Sequence, residues 1–464
     1  EKLLKPMGLK LGENAAGLMD EVVNLVEYPT AFVGNLPDIA AQLPESVVRS
    51  VLQQQMHSFL VYDQNNKFVS HFLSVRNGLT DFIDIVRRGN ENVANARLLD
   101  AAFFMQEDTR KPLDAYLPQL GTLVFMDKLG TMKAKTDRIE ELAAHATDFS
   151  QLKETEQNTL VKAAHLAKAD LSTNMVKEYT ELQGEIGSVY LQRTGSSDDV
   201  AAAIREQYMP RSAAENVAST QAGRLLGIID KVDTLAGILG TGFNPSGSED
   251  PYGLRRAGNG IIRTILEARE RIDLVRLVHE SIEMYHTANI LEETGNLEEK
   301  VIDYLKGRIL QYFKEKQLIH EFEPLEDLPL LELNTVSERM HALREVADDA
   351  ALITLSDSHR RIQNITKGHP AVAELPGDLS LTEPEEIALL EATGKAAPII
   401  GADVACGDYT DAIRACEKLA APITTFFDRI LVMATDEHVR SARLLLLCRL
   451  KYILGSVCDY SKLT

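Results

Sequence analysis

From residue 86 onward the chain carries no long alternation of apolar and polar residues, which confines most of it to helices. Apolar positions recur instead at three- and four-residue spacing. Leu98, Ala101, Ala102 and Met105 form one such stripe, and Leu160, Ala163, Ala164, Ala167 and Leu171 form another. The second is rich in Ala, Lys and Leu, so intrinsic propensity agrees with the pattern. Leu274, Leu277, Val278 and Ile282 mark a third helix, and Val301, Leu305, Ile309 and Tyr312 mark one face of a fourth over Glu298–Phe313. Ser196–Asp199 is an N-cap cluster ahead of Val200–Arg205. Glu321–Pro329 is predicted to be an acidic linker, and Pro370, Pro376, Pro384, Pro398 and Pro422 to punctuate the connections of the last region. Strand signals cluster before residue 85. Phe59–Tyr62, a turn at Asp63–Asn66 and Phe68–Val75 predict a hairpin.

At 464 residues the chain is too long for one core. The pattern shifts predict four pieces: a mixed α/β piece over 1–85, a helical domain over 86–249, a helical linker region over 250–336 and a helical domain over 337–464. The longest apolar run is Leu444–Leu447, far short of the roughly 18 residues of a membrane span. No signal peptide is visible. The four cysteines, Cys406, Cys416, Cys448 and Cys458, fall as two C-x9-C pairs, not the C-x2-C of a zinc site, and read as reduced thiols. Net charge is 49 − 69 = −20, which opposes non-specific nucleic-acid binding. A local excess of bases remains in Asp428–Thr464, where six Lys and Arg face four acids, either as an RNA-contacting surface or as a solvated helix face.

Gly242–Arg256 (GFNPSGSEDPYGLRR) is a turn-rich loop entering a helix. Asn244-Pro245, Ser246-Gly247 and Ser248 are turn formers, Asp250 reads as the N-cap and Pro251 as the first helical residue. By itself this is a domain junction. It also resembles a loop of bacterial glycyl-tRNA synthetase beta subunits, and five further strings resemble motifs of that family in the same order: Glu21–Pro29 (EVVNLVEYP), Gly89–Asp108 (GNENVANARLLDAAFFMQED), Lys128–Arg138 (KLGTMKAKTDR), Ala167–Gly184 (AKADLSTNMVKEYTELQG) and Phe426–Leu447 (FFDRILVMATDEHVRSARLLLL). The chain opens at Glu1 without a methionine, and family members carry roughly another third of their length ahead of the Glu21 motif. The resemblance thus implies a piece lacking the family's first domains.

The resemblance also implies a fold: mainly α and multidomain, with the tail of an α/β domain at 1–85, a degenerate HD-type helical domain at 86–249 and an all-helical anticodon-binding domain at 337–464. A working HD phosphohydrolase needs a His, a His-Asp pair and a distant Asp on a metal. This chain has no His-Asp dipeptide and shows Lys168-Ala-Asp170 where the pair would fall, with Asp230 or Asp233 as the distant acid. A cation in a ligand's place argues against a metal. A Lys–Asp ion pair inside a helical bundle is the plain expectation. Gly237, Gly240, Gly242 and Gly247 follow a helical segment without a Lys in register, so they read as a turn rather than a phosphate cradle. His145 and His165 read as packed or solvent-edge residues, and no catalytic residue is assigned.

In the last domain the resemblance points to Arg360, Arg361, Arg440 and Arg443 as tRNA-binding residues. Arg planes stack on splayed bases and fork onto phosphates. Arg440 and Arg443 are three apart, hence on one helical face, although Arg440 also lies in reach of Asp436 and Glu437. The family implies a tRNA-recognising subunit that joins an alpha chain, as two alpha and two beta, in a cytoplasmic ligase for glycine and tRNA(Gly). ATP and Mg would serve the holoenzyme, with no cofactor on this chain and no membrane contact. One departure stands out. Where members carry a basic-aromatic string, Leu52–Phe59 reads LQQQMHSF, with Gln53, His57 and Ser58 in place of Lys, Arg and Tyr. A non-catalytic tRNA-binding or regulatory paralogue is the rival reading, and an HD-type phosphohydrolase a more distant one.

Overall fold

The computed structural model describes residues 2–12, 15–243, 245, 250–291, 295–328, 330–347, 349–377, 379 and 381–463, with no side-chain description for 330–332. Asn244, Ser246, Gly247 and Ser248 of the turn-rich loop, and Pro329 of the expected linker, lie outside the described residues. The described residues are mainly α, with a small four-stranded sheet near the N-terminus and a two-stranded ribbon of Val124–Met126 and Gly130–Thr131. Contacts divide it into two compact units, 1–148 with 152–233 and 287–290, and 149–151 with 234–286 and 291–464.

The sheet of the first unit has four antiparallel strands, β1 (Lys10–Leu11), β2 (Pro29–Asn35), β3 (Phe59–Tyr62) and β4 (Phe68–Asn77), in the order β1-β3-β4-β2. The β3–β4 hairpin is the one its sequence predicts. Gly34 of β2 pairs with Phe72 of β4. A side chain at Gly34 would collide with the Phe72 ring, so this position requires glycine. Leu4, Val22, Phe59, Val61 and Leu73 form the sheet's core.

The helical body of this unit starts with Ile83–Asp108. Its last residue is a buried staple. The Asp108 carboxylate accepts the N–H groups of Asn174 and Met175 and the Asn174 amide, each at 2.9 Å, and the Tyr190 hydroxyl at 3.0 Å. The Ala- and Lys-rich stripe does not continue to Leu171. Its helix is Glu154–Leu166, because Lys168 adopts a left-handed conformation (φ 66°) and a short 3-10 turn, Ala169–Ser172, follows. That reversal carries the Lys168 side chain inward.

In the second unit the helix begins at Leu254 with Gly253 at its N-cap position, so Asp250 and Pro251 are not its cap and first residue; Pro251 and Tyr252 form a turn that lets Asp250 reach the first helical N–H groups from one turn ahead. The Asp250 carboxylate accepts Leu254 N–H at 2.8 Å and Arg255 N–H at 2.9 Å. The expected acidic linker is folded over most of its length, as the helix Ile319–Phe322 and a 3-10 turn at Glu323–Leu325. Phe322, Pro324 and Leu325 are buried there, with Phe322 stacked on Phe313 at 4.3 Å. Its apolar residues outweigh its charges.

The C-terminal part is a bundle of Val336–Glu345, Ala350–Ile365, Pro384–Cys406, Tyr409–Glu417, Ala420–Arg429 and Glu437–Gly455. Pro384 opens its helix as expected, whereas Pro398 lies inside it. Pro398 and Gly394, whose carbonyl loses a donor there, are both exposed, so water can serve that carbonyl. No described helix is long and apolar enough to cross a membrane.

Candidate nucleic-acid interface

The four arginines singled out in the sequence occupy four different environments. Arg361, on Ala350–Ile365, is exposed, and its guanidinium stands 4.4 Å from the centre of the half-buried Phe427 ring on Ala420–Arg429. Its neighbour Arg360 points elsewhere, because consecutive helical residues are about 100° apart. It donates to Asp357 at 3.1 Å and to the Ser461 carbonyl at 3.2 Å, and remains half exposed.

Arg440 and Arg443 share the helix Glu437–Gly455, which Asp436 caps by accepting His438 N–H at 2.8 Å and Val439 N–H at 3.2 Å. Both brace the turn ahead of it. Arg440 donates to the Ala434 carbonyl at 3.4 Å and Arg443 to the Leu431 carbonyl at 2.9 Å. That turn presents Leu431 and Met433, 75% and 60% exposed. Depth separates the two arginines. The side chain of Arg440 is 34% exposed, near Glu437 at 3.8 Å, and that of Arg443 is 11% exposed against Glu386.

The Glu386 carboxylate does two jobs. One oxygen closes the capping box of Pro384–Cys406 by accepting Thr382 N–H at 2.9 Å and Glu383 N–H at 3.0 Å, and the other accepts Arg443 Nε at 2.5 Å. Burial raises its pKa, but the Glu383 N–H and the Arg443 guanidinium outweigh that and hold it below the usual carboxylate range. Arg443 is therefore spent on the fold, and its contact with RNA would run through the turn it braces. The platform of Arg361 on Phe427, with Leu431 and Met433 on the turn, was not singled out in the sequence. Its signal was the apolar string Ile430–Met433 in a connection, where solvent-facing leucine and methionine are unusual.

The first unit holds a different constellation. Lys135 and Arg138, three apart on the helix Met132–Ala144, meet Asp230 and Asp233, three apart on Gln221–Gly240. Arg138 grips Asp233 with two nitrogens at 2.6 and 3.1 Å. Lys135 Nζ lies 2.9 Å from Asp233 and 3.0 Å from Asp230, and Lys168 Nζ lies 2.7 Å from Asp230. Burial would raise both carboxyl pKa values, but the Lys135 ammonium, joined by Lys168 and Arg138, holds them low. The expected Lys–Asp ion pair is thus Lys168 with Asp230. Asp170 turns away and accepts Gly184 N–H at 2.5 Å. Among the described residues no three His, Cys, Asp or Glu side chains converge as a metal site. The part played by Lys135 and Arg138 went unread in the Lys128–Arg138 motif. In the departing string, Gln55 accepts from Arg97, His57 lies 3.0 Å from Glu21, and Ser58 is buried against Ser74.

Residues 1–322 match the family model described as glycyl-tRNA synthetase beta subunit, and residues 355–459 match the DALR anticodon binding domain. The second match coincides with the bundle that carries the four arginines. Among curated proteins, the chain is 33% identical to a glycine--tRNA ligase beta subunit of Desulforamulus reducens, over 97% of this chain and 65% of the relative. It is 34% identical to those of Shouchella clausii and Rickettsia conorii, over 96% of this chain and 64% and 65% of theirs. The chain thus spans about 65% of the length of the relatives it matches.

Proposed function

The chain belongs to the glycyl-tRNA synthetase beta-subunit family, and on that premise we propose that it is the tRNA-recognising part of a glycine–tRNA ligase. In this reading an alpha chain activates glycine with ATP and Mg, and the beta chain holds tRNA(Gly) for transfer. The holoenzyme is a cytoplasmic assembly of two alpha and two beta chains. The observation that carries the reading is the coincidence of the anticodon-binding match with an exposed Arg361–Phe427 platform and an apolar turn. Unstacked anticodon bases need flat cationic and aromatic faces, and the phosphates beside them need arginine forks. Arg361, Arg360 and Arg440 supply the contacts, while Arg443 positions the turn.

The buried cluster around Asp230 and Asp233 is a scaffold in this account. Its acids are neutralised by protein cations, so the degenerate HD-type region contributes shape rather than hydrolysis. The test is glycine-dependent pyrophosphate–ATP exchange and aminoacylation. The chain alone should give neither, and aminoacylation should require an added alpha chain. Robust exchange by the chain alone would contradict the division of labour.

A further inference from the structure

A second set of cations and rings in the same unit lies outside the anticodon-binding match. The helices Leu254–Ala268 and Leu297–Glu315 pack side by side and run in the same direction, since Arg308 faces Gly258 and Lys316 lies 3.8 Å from Glu267. The approach is close because Gly258 has no side chain. A Cβ there would stand 2.8 Å from Arg308 Cγ and 3.3 Å from the Tyr304 ring. Tyr304, Arg308, Tyr312 and Lys316 fall at four-residue intervals, so ring and cation alternate along one stripe. The Arg308 guanidinium lies 5.7 Å from the Tyr304 ring centre, and Lys316 Nζ lies 5.7 Å from that of Tyr312. Arg255, Arg256 and Arg263 come from the facing helix.

Two acids described on this seam are already committed. Asp250 accepts the Leu254 and Arg255 N–H groups, and Glu267 takes Arg263 at 3.0 and 3.1 Å as well as Lys316. Arg256 and Arg308 have no carboxylate partner among the described residues. Tyr304 Oη and Arg308 Nε are themselves buried and make no hydrogen bond among the described residues, so the stripe would be met through its ring faces and the outer guanidinium nitrogens. In a chain of net charge −20, two guanidiniums with no carboxylate partner among the described residues, beside interleaved rings, are a local cationic surface with stacking faces. Such surfaces suit a phosphate backbone with unstacked bases, and an Arg plane lying on a Tyr offers its other face to a base.

We infer that the seam between these two helices is a second RNA-contact surface, taking the sugar–phosphate backbone of the tRNA away from its anticodon loop. The inference rests on the proposed tRNA-binding function. The test is titration of the purified chain with a full-length glycine-specific tRNA transcript and, separately, with its anticodon stem-loop, across a salt series. The variant is Arg256→Ala with Arg308→Gln, which keeps the methylenes packed on Gly258. It should bind the full tRNA about tenfold more weakly, with a salt slope shallower by roughly two, and bind the stem-loop as the parent does. Arg256→Ala alone removes an exposed cation with no carboxylate partner among the described residues, leaves the buried side of its helix intact and should lower the slope by about one. Unchanged affinity and slope for the full tRNA, with the stem-loop still bound, would overturn the seam and leave the anticodon surface standing. Equal losses on both RNAs would also overturn it. Failure of the parent chain to bind either RNA would overturn both.

Discussion

Arg443 Nε lies 2.5 Å from Glu386 Oε1 inside the C-terminal bundle, and the same carboxylate closes the capping box of the neighbouring helix. A charge pair that also terminates a helix cannot be released without exposing or orphaning its partner. Arg443→Ala should therefore cost about 3–5 kcal/mol in urea unfolding, the range for breaking a buried pair. Arg440→Ala, on the same helical face but partly exposed, should cost less than about 1 kcal/mol. Equal costs would place the two arginines in one environment, against the geometry.

The buried cluster makes a second pairing testable. Arg138 grips Asp233 with two nitrogens, and Lys135 shares that carboxylate. Asp233→Ala would leave two buried cations short of a counter-ion and should destabilise by about 3–5 kcal/mol. A stability change below about 1 kcal/mol would mean that the cluster is solvated.

Because protein cations already neutralise Asp230 and Asp233, the purified chain should carry no stoichiometric transition metal. Elemental analysis of desalted protein checks this. One Mn, Fe or Zn per chain, lost on Asp233→Ala, would overturn the scaffold reading.

His359 gives a pH dependence. Its ring is fully buried, 3.5 Å from Asp459 and edge-on to Tyr460, and burial, opposed by Asp459, lowers its pKa from 6.5 to about 4. The unfolded chain takes the proton more readily than the folded one, so the contribution is present above pH 6.5 and lost as pH falls toward about 4. The loss should be on the order of 1–3 kcal/mol. Denaturant midpoints between these pH values, for the parent and His359→Gln, measure it. Parallel pH profiles would remove His359 as the cause.

Helix positions and the hairpin were readable because spacing dictates which residues share a face. Depth is written in the same spacing. Arg443 precedes Leu446, Leu447 and Leu450 by three, four and seven residues, all fully buried, so it stands on the core side of its helix. Lys135 and Arg138 precede the buried Ile139 and Leu142 by four residues each. Cations at such positions signal an internal partner. The left-handed turn at Lys168 left no such trace, because only tertiary pairing with Asp230 explains it. The Arg361–Phe427 contact joins residues 66 positions apart, a distance that local pattern does not reach.

The central claim is that the C-terminal bundle presents an Arg361–Phe427 platform to the tRNA. The most direct measurement is equilibrium binding of a glycine-specific anticodon stem-loop to Arg361→Ala and Phe427→Ala, each beside a thermal unfolding curve. Losing a base-stacking face should weaken binding by about 1–3 kcal/mol, roughly tenfold or more, with little change in unfolding for Arg361→Ala. Stem-loop affinity equal to the parent's in both folded variants would contradict the account.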